Sequence, residues 1–577
     1  MSKIHLLADS VIDRIAAGEV VERPASAVKE LIENALDAGA SRIEVEINGG
    51  GIGRILVRDD GSGMTSEDAR LALERHATSK IATDADLRAV ASYGFRGEAL
   101  PSIAAVSRLS LTTSDGSSPE ATRLRVDYGE PAKEEPAARS RGTDVLVEEL
   151  FARTPARRKF LSSAEAEGRA AAAAVTRAAL ANPSVAFLVR SNGRQLLDAP
   201  AAASRPTRIL QLFGREALGE IEEFEARSGP LKLLGFATQG SVTFASRRYQ
   251  YLFVNGRPVE DRALARAIGQ ASRDVIRTDR HPALFLFVSA QPGSVDVNVS
   301  PAKTQVRFAD ASGAFRLVYH AVHAGLLAGK EERRLKSVPR EAPSLGEASE
   351  PYRAAGQPTA PSRLTPAAGA AGSLRDSPAP PPMEKKPPEI VPIGQHRESY
   401  ILASGPEGLL IIDQHAAHER ILYERLRDRI TSGRVLSQKL LMRALFEATP
   451  EEAETLAAGF EEFAAAGFEI EPMSGRTYAI AALPAEVTDR SPADTLRDAL
   501  SRLAESGSAD AALRRDRLCA ALACRSAVTI RYHLAPEEIR HLLSDWIKTS
   551  DRYTCPHGRP VVLSMTEEEL EKFFKRR

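Results

Sequence analysis

Between Glu331 and Pro388 the sequence loses the means to build a core. This stretch carries Ser-Val-Pro, Gln-Pro-Thr-Ala-Pro-Ser, Ala-Ala-Gly-Ala-Ala-Gly and Pro-Ala-Pro-Pro-Pro, with few large apolar residues. A segment of that kind cannot bury enough apolar surface to offset the entropy of ordering it. It is expected to be a disordered linker between two separately folded halves. The chain has 577 residues, and domains usually run to roughly 100–200 residues, so three or four folded units are expected.

Composition narrows the function classes. The 77 basic and 77 acidic side chains cancel, so the global basic surplus of many nucleic-acid binders is missing and any DNA contact must come from a local patch. The three cysteines, Cys519, Cys524 and Cys555, lie near the C-terminus. An odd, sparse set speaks for a reducing compartment rather than a disulfide framework. The first twenty residues hold Asp9, Asp13, Arg14 and Glu19 and no apolar core of a signal peptide. No apolar run approaches membrane-spanning length. A cytoplasmic protein without a membrane partner is expected.

Before the linker, helical and strand periods alternate, as in an α/β (α+β) sandwich. Val28, Leu31, Ile32 and Ala35 recur at i, i+3, i+4, i+7, predicting a helix over 26–38 with Ser26 as N-cap. Ile43, Val45 and Ile47 alternate as in a half-buried strand, and Ile55-Leu56-Val57 reads as the next one. A second α/β unit is expected to start near Arg208, with strands at Tyr251–Val254 and Ala283–Val288. After the linker, Leu409–Ile412 reads as a strand feeding a helix at His415–Ile430, followed by a helix-rich insertion over about 441–510.

The polar stripe of the first helix holds Glu30, Glu33, Asn34 and Asp37. Alone it fits a solvated acidic face. Three neighbouring segments change its meaning. Asp59-Asp60-Gly61-Ser62-Gly63-Met64 ends a strand, where glycines admit a ligand close to the backbone and an aspartate can accept from an exocyclic amine. Arg75-His76-Ala77-Thr78-Ser79-Lys80 supplies cations. Gly94-Phe95-Arg96-Gly97-Glu98-Ala99-Leu100 is a glycine-rich loop entering a helix, a natural anion cradle. A P-loop of the form Gly-x-x-x-x-Gly-Lys-Ser/Thr is absent.

Glu33 to Gly39, Asp59 to Gly63 and Gly94 to Leu100 resemble the successive ATP-site motifs of the GHKL superfamily. With Arg75 to Lys80, Gly142-Thr143, Phe253 to Arg257 and Val295 to Lys303, the chain resembles the MutL family of DNA mismatch-repair proteins. The resemblance implies a GHKL ATPase sandwich over 1–205, a ribosomal-S5-like second domain over 206–330, the linker over 331–388, and an α+β C-terminal dimerisation and endonuclease domain over 389–577. By position, it implies Glu33 as the base that activates water and Asn34 as the Mg²⁺ ligand. Asp59 reads the adenine amine with Thr143 in support. Asp37, Gly61, Gly63, Thr78, Ser79, Lys80 and Gly94 to Leu100 complete the ATP site, and Lys303 reaches the γ-phosphate from the second domain. The chemistry would be phosphoryl transfer to water, where positioning and charge stabilisation dominate. The basic run Arg153, Arg157, Arg158 and Lys159 fits DNA phosphates or a solvated helix end.

In the C-terminal half, His415 and Glu419 stand at i, i+4 and share a helix face, so they could grip one ion. Asp413 lies just upstream. Glu424 falls out of phase with that pair. Cys555-Pro556-His557 puts a thiolate and an imidazole two residues apart. Such mixed donors favour zinc while admitting Mn²⁺ or Mg²⁺. The residues again resemble the family: Asp413 to Glu424 fits D-Q-H-A-x2-E-x4-E, and Ala523-Cys524-Arg525 and Cys555 to Pro560 fit its two later metal motifs. The resemblance implies a nicking endonuclease with Zn²⁺ or Mn²⁺ on His415, Glu419, Cys524, Cys555 and His557, and with Asp413 catalytic or bridging. It also implies a homodimer acting on double-stranded DNA with a MutS-type mismatch sensor and a repair helicase. An ATP-switched matchmaker with a purely structural zinc is the alternative. Two departures stand out. Gln438-Lys439-Leu440-Leu441-Met442-Arg443 has arginine where the sliding-clamp motif Gln-x-x-Leu-x-Pro expects proline. Cys519 fits no motif and reads as a buried helix residue.

Overall fold

The computed structural model describes residues 20–80, 93–94, 97–239, 242–273, 275–276, 280–296, 305–336, 390–406, 408–433, 435–487, 491–504, 511–527 and 532–576, with backbone alone over 329–336. Phe95, Arg96, Lys303 and nearly all of the expected linker lie outside them.

The first unit opens with α1 (Pro24–Asp37). It begins two residues before the expected Ser26, because Pro24 supplies a preset φ at the first helical position and loses no hydrogen bond there. There follow β1 (Arg42–Asn48), β2 (Arg54–Asp59), α2 (Ser66–Leu71), α3 (Ala99–Ala105), β3 (Arg108–Ser114), β4 (Ala121–Asp127), β5 (Lys133–Ala137), β6 (Gly142–Glu148), α4 (Pro155–Phe160), α5 (Ala164–Ala181), β7 (Ala186–Ser191) and β8 (Arg194–Ala199). The sheet runs β5-β4-β3-β6-β2-β1-β7-β8. Alternation in β1 sends Ile43, Val45 and Ile47 into the core, where they meet Val28, Leu31 and Ile32 of α1. This leaves the polar stripe of α1 at the strand ends.

The next helix, α6 (Arg205–Phe213), spans the expected 205/206 boundary. Its Arg208 is fully buried and donates to the carbonyls of Ala199 (3.1 Å), Pro183 (2.7 Å) and Val185 (2.5 Å), tying α6 to the first unit. After the short α7 (Arg215–Leu218), the second unit contains β9 (Ile221–Ser228), β10 (Leu231–Thr238), β11 (Gln250–Val254), β12 (Arg257–Pro258), α8 (Arg262–Arg273), β13 (Leu284–Ala290), a ribbon of β14 (Val295–Asp296) and β15 (Arg307–Phe308), and α9 (Ala311–Lys336). Its five strands run β12-β11-β13-β10-β9. Leu264, Ile268, Leu317, Val318 and Val322 of α8 and α9 share a core with Leu233, Leu284 and Leu286 of the sheet. The backbone of α9 continues through Glu331–Lys336, so the start of the expected linker is helical.

The C-terminal half has β16 (Val391–His396), β17 (Tyr400–Gly405), β18 (Gly408–Asp413) and α10 (Gln414–Ser432). An insertion follows: β19 (Ser437–Glu447), α11 (Pro450–Ala458), α12 (Phe460–Ala465), β20 (Glu469–Pro472), β21 (Thr477–Pro484) and α13 (Pro492–Ala504). It holds the helices α11, α12 and α13 together with a sheet in the order β19-β21-β20 that the expected helix-rich insertion did not include. The chain ends with α14 (Ala511–Ser526), α15 (Pro536–Trp546), β22 (Val562–Thr566) and α16 (Glu567–Phe573). The sheet β16-β17-β18-β22 packs Ile401, Ala403 and Ile412 against Ala417 and Ile421 of α10 and Leu543 and Trp546 of α15.

The insertion lies on the first half, and its Phe446, Leu456 and Tyr478 join the same apolar core as Val175, Phe213 and Tyr249. Arg476 donates to the carbonyls of Leu212 (3.0 Å) and Gln211 (3.2 Å), and Arg194 to that of Gly475 (3.2 Å).

Candidate functional site

The N-terminal site gathers on the stripe of α1. Asp37 receives the backbone N–H of Tyr93 (2.9 Å) and of Gly94 (2.9 Å). Lys80 Nζ lies 2.5 Å from Asp37 Oδ2 and 3.0 Å from Asn34 Oδ1. A Cβ on Gly94 would meet Lys80 Nζ at 3.0 Å, so this part of the chain passes close beside the Lys80–Asp37 pair. Thr78 Oγ1 accepts from the Lys80 amide at 3.2 Å, and Ser79 is exposed. Glu98 stands at the N-cap position of the short α3 without a side-chain capping bond, Ala99 and Leu100 open the helix, and the Glu98 carboxylate lies 3.6 Å from His76 Nδ1.

Asp59 ends β2 opposite Thr143 of β6. Its Oδ1 accepts from the Gly61 amide at 2.9 Å, and burial pushes its carboxyl above the usual range against the pull of that amide and Arg139. Thr143 shares a 3.0 Å hydroxyl contact with Thr113, which also accepts from the Met64 amide at 3.0 Å. Gly63 has φ +65°, and a Cβ there would stand 1.9 Å from the Ser114 carbonyl, so only glycine fits. A half-buried aspartate, a threonine and a glycine turn thus converge where a polar edge of a flat ligand could be read.

Glu33 faces partly elsewhere. Lys29 Nζ lies 3.6 Å from Glu30 and 3.5 Å from Glu33, so the two carboxylates share one ammonium. At 100° per residue, Asp37, Glu30 and Asn34 share an arc of about 60° on α1, and Glu33 lies about 40° beyond Asp37 on the side of Leu36. Glu33 lines a cavity of about 290 Å³ with Tyr93, Arg248, Tyr251 and Glu451, where the first unit, the second unit and the insertion meet. Tyr93 escaped the sequence reading. Its amide holds Asp37, and its hydroxyl reaches the Gly256 carbonyl (3.4 Å) of the second unit. The only signal for it was its place beside Gly94.

The C-terminal residues converge. His415 and Glu419 of α10 and Cys524 of α14 put ligand atoms within 4.8 Å of one another, as do Glu419, Cys555 and His557. Glu419 therefore belongs to both triads. Its oxygens lie 3.5 Å from His415 Nε2 and 3.6 Å from His557 Nδ1. Glu419 is 2% exposed and Cys555 1%. Burial alone would raise the Glu419 carboxyl, but His415, His557 and Cys524 hold it well below the usual carboxylate range. Cys555 and Glu419 lift His557 to about 9, and burial pushes the Cys524 thiol up. Glu419 Oε2 and His557 Nε2 are buried without a hydrogen-bond partner among the described residues. Buried polar atoms left so are costly unless something else coordinates them, and sulfur, imidazole and carboxylate together suit zinc. The donor set fits a metal.

Asp413 takes another position. Its Oδ1 caps α10, accepting from the amides of His415 (2.9 Å) and Ala416 (3.0 Å), and it is in neither triad. Glu424 is likewise outside both, in keeping with its helical phase. Cys519 is buried in α14, and burial raises its thiol to about 12, the behaviour of an inert core residue. In α4, Arg158, Lys159 and Phe160 are exposed. On the edge strand β19, Leu441 and Met442 are fully or nearly fully exposed.

Family models match three stretches. Residues 22–146 match the histidine kinase-, DNA gyrase B- and HSP90-like ATPase, 209–327 the C-terminal domain of DNA mismatch repair protein, and 393–534 the MutL C-terminal dimerisation domain. The chain is 40% identical to DNA mismatch repair protein MutL of an Anaeromyxobacter species, with both chains covered in full. It is 41% identical to the protein of that name from Thiobacillus denitrificans, with 99% of each covered. Among solved structures, the Aquifex aeolicus MutL ATPase domain complexed with ADP is 28% identical over 47% of this chain and 94% of its own, at a TM-score of 0.36.

Proposed function

The chain belongs to the MutL family of DNA mismatch repair proteins, and from that premise we propose that it couples an ATP-operated clamp to metal-dependent nicking of duplex DNA. The observation that carries the nicking half is the pair of ligand triads joined through the buried Glu419. Two ions held side by side are a known arrangement for phosphodiester cleavage. His415, Glu419 and Cys524 would hold one, and Glu419, Cys555 and His557 the other. Bound Zn²⁺ or Mn²⁺ would supply Lewis acidity and a more acidic water. Asp413, at the mouth of the same helix, is assigned the catalytic role from its motif.

In the N-terminal half, Asp59 with Thr143 reads the adenine edge, and Asn34 takes Mg²⁺. Lys80 spans Asn34 and Asp37 and would turn from them to a phosphate. By the motif Gly94 and Gly97 would bind phosphate from the lid, the Gly94 amide turning away from Asp37 to do so, and the motif adds Phe95, Arg96 and Lys303 to them. Glu33 is the assigned base, with Glu30 beside it on the same ammonium. Double-stranded DNA meets the exposed Arg158 and Lys159, a MutS-type sensor and a helicase act upstream and downstream, and the work is cytoplasmic. A second copy covers the outer face of the C-terminal sheet, where Leu402, Ile411 and Leu563 are cross-strand neighbours and Leu563 is exposed.

The competing reading is a matchmaker whose cysteines hold a structural zinc. It is favoured by the engagement of Asp413 as a helix cap. An Mn²⁺-dependent nicking assay on supercoiled plasmid decides between them. Relaxed circles from the intact protein and none from Asp413→Asn support the nuclease. No nicking, or equal nicking by the mutant, leaves the matchmaker.

A further inference from the structure

We propose that Glu424 is a positioning residue that, with Arg420, holds the Cys555–His557 arm against Glu419; this rests on the metal-site reading above. The motif containing Glu424 gave it no role, and it stands in neither triad. The geometry supplies one. Glu424 accepts from the Ser550 amide (2.8 Å to Oε2, 3.1 Å to Oε1), the Ser550 hydroxyl (2.7 Å) and the Asp551 amide (3.3 Å). Three donors from one turn converge on a single carboxylate.

Arg420, one helical turn earlier on α10, completes the clamp. Its Nε donates to the Thr554 carbonyl at 2.7 Å, and its Nη2 lies 3.2 Å from Asp551 Oδ2. Asp551 in turn accepts from the amides of Tyr553 (2.9 Å) and Thr554 (3.1 Å). The Thr554 carbonyl belongs to the peptide that leads directly into Cys555. The chain from Ser550 to Thr554 is therefore fixed at both ends to the helix that carries His415 and Glu419.

The two triads differ in what they require. His415 and Glu419 share a helix, and Cys524 sits on α14, which packs along α10. That triad is preformed by helix packing. Cys555 and His557 come from a turn outside any helix or strand, closed by a single bridge between Thr554 and Pro560 and by the Cys555 amide on the Arg559 carbonyl (2.9 Å), so its placement against α10 depends on the contacts that Ser550–Thr554 makes with that helix. Charge-assisted bonds such as those to Glu424 are roughly twice as strong as neutral ones. Groups that orient metal ligands typically change affinity or activity 10–100-fold when removed.

The test uses the full chain with Zn²⁺ and Co²⁺ as probes. Glu424→Ala is expected to weaken Zn²⁺ at the Cys555 triad by about 10–100-fold in a chelator competition. It should lower the thiolate-to-Co²⁺ absorption and let iodoacetamide reach Cys555 in zinc-loaded protein. Glu424→Gln keeps an acceptor for Ser550 and should fall between wild type and alanine. Buried Cys519 reports folding: it stays unmodified in a folded variant. If Glu424→Ala exposes Cys519, the decision passes to Glu424→Gln, whose weaker binding supports the role and whose wild-type binding overturns it. Wild-type protein that takes up neither ion removes the metal-site reading itself. Wild type that takes up both, with Glu424→Ala equal in affinity, absorption and Cys555 protection, overturns the positioning role alone.

Discussion

Tyr249, from the second unit, donates its phenolic hydroxyl to the carboxylate of Glu452 at the start of α11. Glu452 is fully buried, and Arg248 and Arg497 lie 3.9 Å and 3.7 Å from it. Nearby, Arg280 of the first half and Arg525 of the second meet on one oxygen of Asp498, at 2.9 Å and 2.6 Å. Arg525 adjoins Cys524, so the contact between halves reaches the neighbour of a metal-ligand candidate. Removing one partner of a buried charge pair leaves the other uncompensated, at about 3–5 kcal/mol. Glu452→Ala is expected to lose about that much in urea denaturation, and Tyr249→Phe about 1 kcal/mol. If Glu452→Ala unfolds at the wild-type midpoint, this contact does not hold the halves together.

Glu33→Ala should bind ATP with near-normal affinity and hydrolyse it about 10²–10⁴-fold more slowly, the usual range for loss of a general base. Nucleotide binding by filter retention and phosphate release separate the two effects. Glu30 is the rival, because it shares Lys29 and falls between Asp37 and Asn34 around the helix. Normal turnover by Glu33→Ala with slow turnover by Glu30→Ala would move the base to Glu30.

Local chemistry was legible in the sequence where spacing alone decides it. Period 3.6 over Val28–Ala35 gave α1, period 2 over Ile43–Ile47 gave β1, and i, i+4 gave the His415–Glu419 face. Long-range convergence was not. Cys524 meets Glu419 only because α14 packs along α10, which no local period encodes; the family resemblance supplied that pairing. The strands of the insertion were missed because helical runs such as Pro450–Ala458 dominate its pattern, while β19 exposes Leu441 and Met442 and so lacks a clean alternation. The seating of the insertion on the first half was hidden for the same reason: Glu452 reads as one more acid of a surface helix until Arg248, Tyr249 and Arg497 surround it.

Glu419 serves both triads, and this predicts an uneven response of metal content to single substitutions. Glu419→Ala should strip both sites, because each keeps only two donors. Cys524→Ala should weaken the His415 site and spare the other, and His557→Ala should do the reverse. Zinc counted by elemental analysis after gel filtration checks this. Equal loss in all three variants would mean one site rather than two.

Acid should loosen the Ser550–Thr554 turn before the rest of the domain. Burial would raise the Glu424 carboxyl, but the Ser550 amide and hydroxyl, the Asp551 amide and Arg420 outweigh it and hold it below its ordinary 4.5. Asp551 is held below its ordinary 3.8 chiefly by the Thr554 hydroxyl. Both folded values are depressed, so their contribution is complete above the ordinary values and fades as pH falls through the lower folded ones. Amide exchange at 551–555 in metal-free protein, corrected for intrinsic rate, should be flat from neutral pH to about 5 and accelerate below about 4. Glu424→Gln has no carboxylate to protonate, so much of that acceleration should disappear from it. A mutant profile identical to wild type would show that the carboxylate of Glu424 does not hold the turn.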